Sequence, residues 1–157
     1  MSDMYTALEL AVVEMLKTLP ELAGIKGWQT GVADSLVTVD AIVKGLRADQ
    51  LPGVCVMAAL EPVDSEPMSA SQIKHMIPVS LWIVGRTEKP ASIRAELFPY
   101  LKATTRAFDE ARRSVNPLGS GALVMGPMSS SLLVVRGNPH SYGVVEVNVK
   151  VMKVEQL

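Results

Sequence analysis

The sequence predicts an α+β fold: a mainly antiparallel or mixed sheet of four to five strands, packed on one face by two to three helices. Two segments, 2–19 and 90–111, place apolar residues at the spacing of amphipathic helices. Other apolar runs have the length or the alternation of strands. Because the strands are segregated around one long helix, the α+β class is favoured.

The composition indicates one aliphatic core. A chain of 157 residues is expected to form a single domain, 1–157, that buries roughly 70% of its unfolded surface. Hydrophobic residues make up 48% of the chain and aromatic residues only 4%, so the core must be aliphatic. The net charge of -1 excludes bulk electrostatic attraction to nucleic acid or to an anionic membrane.

Cysteine content and hydropathy favour a cytosolic protein. Cys55 is the only cysteine, so no internal disulfide can form. No apolar run reaches the roughly 18 residues that a membrane span needs. The first apolar face, from Leu8, follows Asp3 rather than a basic region, so we expect neither a secretory signal nor a membrane segment.

The first half of the chain begins with a helix from Ser2 that Pro20 ends. Segment 24–31 predicts a connection or an irregular strand, and a short helix is expected near 41–48. The apolar run 54–60 predicts a strand that is buried on both faces.

The middle of the chain predicts a loop and then a long strand. Segment 61–72 combines prolines, acids and serines, which predicts an extended polar loop. Segment 73–84 has the alternation of a strand. Pro78 cannot donate a hydrogen bond to a neighbouring strand, so we expect an edge or a bulge there.

The main amphipathic helix is expected from Pro90 to Ala111, with Pro99 causing a kink or a break near Phe98. Two apolar runs, 122–125 and 132–135, then predict a hairpin or two successive strands. The last segment, 145–151, alternates valine with polar residues and predicts a half-buried strand. Five basic residues are expected on the more exposed sides of the helix: Arg94, Lys102, Arg106, Arg112 and Arg113.

Few residues can carry chemistry. His75 and His140 are the only candidate imidazole bases, and no GxSxG motif surrounds the serines 129–131. Cys55 lies in an apolar strand, where an inert buried thiol is the expectation. We therefore predict no enzyme activity, no metal site and no cofactor.

Two local patterns resemble ligand sites without completing them. Glu61, Asp64 and Glu66 lack the spacing and the central glycine of a calcium loop. Gly119 and Gly121 begin like a phosphate loop, but the third glycine is out of register and no helix pattern follows. An aliphatic domain with an acidic loop and no chemistry is typical of an assembly subunit, although a monomer with a rich core fits the composition nearly as well.

The order of elements is more informative than any motif. A helix ends at Leu19 and Pro20, and the stretch LPGVCV (51–56) precedes a polar loop. The strand IPVSLWIVG (77–85), a long helix from Pro90 and an alternating strand follow. In this order, over nearly its whole length, the chain resembles the tail terminator proteins of long-tailed bacteriophages.

The resemblance implies a virion protein, assembled in the host cytoplasm, that forms a homo-hexameric ring. The ring would cap the tail tube, stop its polymerisation at the length set by the tape measure protein, and present a docking surface to the head-side connector or stopper. The implied partners are further copies of the chain, the tube protein, the connector and the tape measure, with no membrane. The genome would pass through the lumen without sequence recognition.

Within that resemblance, the loop 61–72 is expected to reach a neighbouring subunit or ring, and strand edges around Pro78 and 145–151 to form ring contacts. The alternatives are another neck or head-completion subunit, or a small enzyme that uses His75 or His140. The expected interaction residues are Glu61, Asp64, Glu66, Met68, Pro78, Val147 and Val149.

Overall fold

The computed structural model describes residues 4–31, 51–87, 92–114, 118, 122–135 and 141–157. Within these ranges the chain forms one mixed sheet and two α-helices, so the predicted α+β class is confirmed. The sheet has six strands there, more than the predicted four to five. Four of the predictions fall outside the described residues: the helix near 41–48, Pro90, the pair Gly119 and Gly121, and His140.

The described residues form two helices, one short 3-10 turn and six strands. They are α1 (Met4–Lys17), the 3-10 turn (Pro20–Leu22), β1 (Gly27–Thr30), β2 (Gly53–Ala58), β3 (Asp64–Ser69), β4 (Gln72–Thr87), α2 (Ile93–Arg112), β5 (Leu123–Val135) and β6 (Ser141–Gln156).

The sheet is built around two long antiparallel strands. The strand order is β1-β2-β4-β6-β5, with β3 beside β4 beyond the end of β2. β1 runs parallel to β2, and every other pair is antiparallel. β4 and β6 have 16 residues each and pair over their full length, from Gln72 opposite Gln156 to Thr87 opposite Ser141. Both long strands are therefore interior strands.

Both helices pack on one face of the sheet, as predicted, and we call it the helix face. Strand residues alternate between faces, so every second residue of β4 from Ile77 to Ile83 enters this core. On the opposite, outer face a smaller buried cluster includes Cys55, Trp82 and Val144. The largest fully buried side chains of the helix-face core are Phe108, Leu16, Ile77, Leu81, Ile83, Ile93 and Leu97.

The helix α2 packs so closely on the sheet that glycine is required beneath it. A Cβ atom at Gly143 would lie 2.5 Å from Leu97 Cδ1 and closer still to Ile93 Cγ1. Pro99 lies inside the helix without breaking it, so of the two predicted outcomes the break is wrong and the kink stays a prediction. Pro99 and Ala95, whose carbonyl loses its helical donor, are both exposed, so water can solvate that carbonyl.

Two stretches form strands that the sequence pattern did not fully predict. The irregular segment 24–31 contains the short strand β1, which extends the sheet beside β2. The runs 122–125 and 132–135 both pair with β6, so they are one strand with a register shift between Met125 and Ser129. Both predicted alternatives, a hairpin and two successive strands, are therefore wrong, because a bulge rather than a reversal or a break in the strand separates the two runs.

The polar segment 61–72 is not a loop throughout, which corrects the prediction. Its central residues form β3, which pairs with the first residues of β4. All six residues of β3 are exposed, so this strand forms through backbone pairing with β4 and not through burial of an apolar face. The expected solvent exposure is confirmed, and the expected lack of secondary structure is wrong.

Candidate interaction surface

The most prominent surface feature is the hairpin of β3 and the start of β4, residues 64–76, which we call the β3 hairpin. β2 pairs with β4 from Val79 to Val84, whereas β3 pairs with β4 from Gln72 to Met76. Five of the six residues of β2 are buried, but none of β3 is. The β3 hairpin therefore exposes one whole strand beyond the part of the sheet that carries β2.

Strand β3 carries two acids and an exposed methionine. Asp64 and Glu66 pair with Met76 and Lys74 of β4, so both acids lie on the outer face. The Glu66 carboxylate and the Lys74 ammonium are 2.5 Å apart. Met68 lies at a register shift and is 55% exposed. Of the residues expected to interact, these three are accessible to a partner.

Pro67 limits how a partner can approach β3. The backbone N–H of Ala59 donates to the carbonyl of Pro78 at 2.9 Å, so even-numbered residues of β4 direct their backbone groups toward β2 and β3. Pro67 lies opposite the odd-numbered Ile73, so its nitrogen points to the open edge. Because that nitrogen has no hydrogen, the edge of β3 is a poor template for strand addition.

The structure explains the proline in the long strand. β4 is not an edge strand, but Pro78 lies next to the interruption between β2 and β3, beside Ala59, whose φ is 63°. Pro78 therefore lies where neither β2 nor β3 pairs with β4, and its missing N–H removes no hydrogen bond from either pair of strands.

Glu61 and Pro78 line a groove of about 230 Å³ together with Asn148 and Lys150. These two interaction candidates are therefore brought together.

Val147 and Val149 are placed differently from the other candidates. Their exposed fractions are 0% and 3%, and both belong to the helix-face core. β6 lies between β4 and β5, so its residues do not form a sheet edge. In this fold the two valines are part of the core, and the candidate surface does not include them.

Ser65, His75 and Glu155 meet on three neighbouring strands. Ser65 Oγ and His75 Nδ1 are 2.6 Å apart, and His75 Nε2 is 3.5 Å from Glu155 Oε1. The Nε2 atom is buried and forms no hydrogen bond within the described part of the chain. A serine hydroxyl on an imidazole is one component of a nucleophilic site. The sequence singles out His75 as a candidate base but not Ser65 or Glu155, because the three residues come together only through sheet pairing.

Cys55 is buried in the outer-face cluster, which confirms the predicted burial of the thiol. Desolvation, and after it the charge of Glu9, raises the pKa of the thiol to about 12. The thiolate needed for nucleophilic chemistry is therefore strongly disfavoured. Over the described ranges, no group of three metal-binding side chains is found, and no helix is long and apolar enough to cross a membrane.

No protein-family model matches this chain, and no curated protein matches it. The β3 hairpin with Asp64, Glu66 and Met68, and the groove at Glu61 and Pro78, are surfaces suited to contact with another protein. They combine exposed charged side chains, the flexible apolar side chain of Met68, and a strand edge at which Pro67 hinders the addition of another strand.

Proposed function

We propose that this protein is a virion structural protein: a tail terminator that forms a homo-hexameric ring on the end of the tail tube. The ring stops polymerisation of the tube at the length set by the tape measure protein. Its other side provides the docking surface for the head-side connector or stopper. The protein acts in the tail or neck of the virion after assembly in the host cytoplasm, and it has no catalytic role.

The observation that carries this proposal is the β3 hairpin. A strand whose six residues are all exposed contributes little to the core of its own subunit, which suggests a role in contact with another chain. It occurs where the order of elements resembles the tail terminators, between the stretch 51–56 and the strand 77–85. Both features support a subunit that functions by association.

In the proposed mechanism, the ring binds the end of the tube with one side and presents a different surface on its other side. A ring that matches the last ring of the tube on one side can attach to it. If its opposite side differs, no further tube subunit adds, and the connector binds instead. The net charge of -1 suits a lumen through which DNA slides, because no strong positive field would hold the phosphates.

The direct test is the assembly state together with tail length. The purified chain is expected to form six-membered rings, measured by native mass spectrometry, and to bind the tube protein. Deleting the gene from its phage should give tails of irregular, extended length without heads. A chain that stays monomeric at high concentration and binds no tube protein would contradict the proposal.

Another neck or head-completion subunit is the nearest alternative. Pull-down against tube protein and connector separates the two functions, because a head-completion subunit binds the connector and not the tube. Rings that bind only the connector would favour this alternative over the tail terminator.

A small enzyme is the second alternative, and the 2.6 Å contact between Ser65 and His75 is the observation that favours it. Ser65 is exposed on β3, and water competes with any substrate there. Folded variants in which His75 and His140 are replaced by Ala, with no change in any biological readout, would exclude the enzyme.

A further inference from the structure

We propose that the β3 hairpin of one copy docks into a basic groove at the opposite end of the sheet of a second copy. The contact is head-to-tail, and it rests on the proposed function because it names the surfaces that join neighbouring subunits of the ring. Four features support this contact: the charge of the groove, the charge of the hairpin, the distance between them within one chain, and the proline at the edge of β3.

The groove lies between the end of β4 and the start of α2 and has a volume of about 300 Å³. Lys26 and Arg86 are exposed at this groove, and no ion pair within the described ranges includes either of them. Leu51 and Leu97, with exposed fractions of 8% and 2%, form part of an apolar floor. Tyr100 adds a half-buried aromatic ring. Such a site suits an acidic segment that also carries an apolar side chain.

One acid lines the same groove. Glu96 accepts a hydrogen bond from the hydroxyl of Ser92 at 3.1 Å. Among the described residues that line the groove, the two cations outnumber the single acid, so these side chains carry a net positive charge. A partner segment must therefore bring negative charge to neutralise it.

The β3 hairpin has the complementary chemistry. Strand β3 contains Asp64 and Glu66 and no cation. Glu66 already contacts Lys74, whereas Asp64 takes part in no ion pair within the described ranges. Met68 is 55% exposed and is unbranched, so it can adapt to an apolar floor.

The two surfaces cannot meet within one chain. Asp64 pairs with Met76, and Arg86 lies ten residues further along β4. At about 3.3 Å per strand residue this separation is about 33 Å. Each copy thus carries acidic side chains at one end of the sheet and basic side chains at the other, which is the arrangement of a heterologous contact that closes into a ring or continues as a filament.

A contact made by side chains is also consistent with the backbone at the open edge of β3. Pro67 directs a nitrogen without hydrogen to that edge, so pairing with an edge strand of another copy is hindered. Asp64, which takes part in no ion pair within the described ranges, and the exposed Met68 can enter a groove. We therefore assign the contact to side chains and not to an extended sheet.

Charge reversal tests the contact. The double variant Lys26→Glu with Arg86→Glu, and separately Asp64→Lys with Glu66→Lys, should each weaken self-association by about tenfold or more, measured by sedimentation. Mixing the two variants should restore association between unlike copies, because the acidic hairpin of the first meets the basic groove of the second and the basic hairpin of the second meets the acidic groove of the first. Lys102→Glu is the matched control, since Lys102 is exposed but lies outside the groove. Circular dichroism checks that each variant is folded.

Disulfide trapping tests the same contact independently of charge. A mixture of the Met68→Cys and Arg86→Cys variants should form a disulfide-linked dimer under mild oxidation. The mixture of Met68→Cys with Lys102→Cys should not. The native Cys55 is buried and does not compete.

The outcomes separate this inference from the proposed function. Six-membered rings that survive both charge reversals and give no trapped dimer would overturn the hairpin contact and leave the ring proposal standing. A trapped dimer and the charge rescue, in a chain that does not bind tube protein, would support the contact and contradict the tail terminator. A monomer without trapping would overturn the contact as well.

Discussion

The carboxylate of Glu9 accepts a hydrogen bond from the backbone N–H of Ala58, at 2.9 Å. Glu9 is only 5% exposed, and it lies on α1 while Ala58 is the last residue of β2. β1 ends opposite Val56, so it offers Ala58 no strand partner at this position. The buried acid therefore fastens the first helix to the end of a strand.

Loss of this acceptor should destabilise the fold. Glu9→Ala leaves the N–H of Ala58 without its carboxylate partner, and we expect a loss of about 2–3 kcal/mol in the free energy of unfolding. Glu9→Gln keeps an acceptor oxygen of similar reach and should cost less. Urea denaturation measures both variants. Equal losses in the two would show that the charge, and not the acceptor, matters at this site.

The close approach of α2 to the sheet predicts a strong effect of one methyl group. Gly143→Ala would place a Cβ against Ile93 and Leu97, and we expect a loss of about 1–3 kcal/mol from forced repacking. Gly24→Ala is the control, because the nearest atom to a Cβ there is the Tyr100 hydroxyl at 4.0 Å. Thermal unfolding of both variants measures the difference. Similar melting temperatures would contradict the packing described for Gly143.

Cys55 should make stability depend on pH in the alkaline range. Its pKa is raised from 9.0 to about 12, first by burial and then by the charge of Glu9. The unfolded chain loses the proton at lower pH than the folded chain, so the stabilising contribution is complete below pH 9 and is lost as pH rises toward 12. The difference in unfolding free energy between the wild type and Cys55→Ala measures this dependence. A difference that does not change from pH 8 to 11 would contradict it.

The same burial predicts that the thiol does not react in the folded protein. Iodoacetamide at pH 8 should label Cys55 only after unfolding in urea, because the folded thiol is protonated and inaccessible. Mass spectrometry of the intact chain gives the labelled fraction. Rapid labelling without denaturant would contradict the buried position.

Arg106 connects α2 to Glu21 in the 3-10 turn. The hydrogen bond from the Arg106 guanidinium is the main cause that lowers the pKa of Glu21 below 4.5. The pair therefore stabilises the fold above that pH and loses its effect as pH falls through the lowered pKa of Glu21. Titration by NMR should show the Glu21 pKa rising toward 4.5 in Arg106→Gln, with Lys102→Gln as an exposed control. An unchanged titration would contradict the pair.

Several features of the fold could be predicted because they depend on neighbours close in sequence. The spacing of Leu8, Val12 and Leu16 predicts α1, and the alternation over 73–84 and 145–151 predicts β4 and β6. The burial of Cys55 follows in the same way from an apolar run with the length of a strand.

The candidate site was predicted only in part. Glu61, Asp64 and Met68 are accessible, as their polar segment suggested, but that segment contains a strand. Val147 and Val149 belong to a segment in which apolar and polar residues alternate. This alternation is the same in an edge strand and in an interior strand, so it does not predict which of the two β6 is. Only the position of β6 between β4 and β5 shows that their side chains are enclosed.

The sequence by itself determined the α+β class, the two helices and the two long strands, because hydrophobic periodicity is a local property of the chain. The tertiary structure decided the strand state of β3, the burial of Glu9 and the contact between Ser65 and His75. Each depends on backbone or side-chain partners from other elements of the sheet and helices. A polar segment becomes a strand, and an acid enters the core, only where another part of the chain supplies the hydrogen bonds that water would otherwise supply.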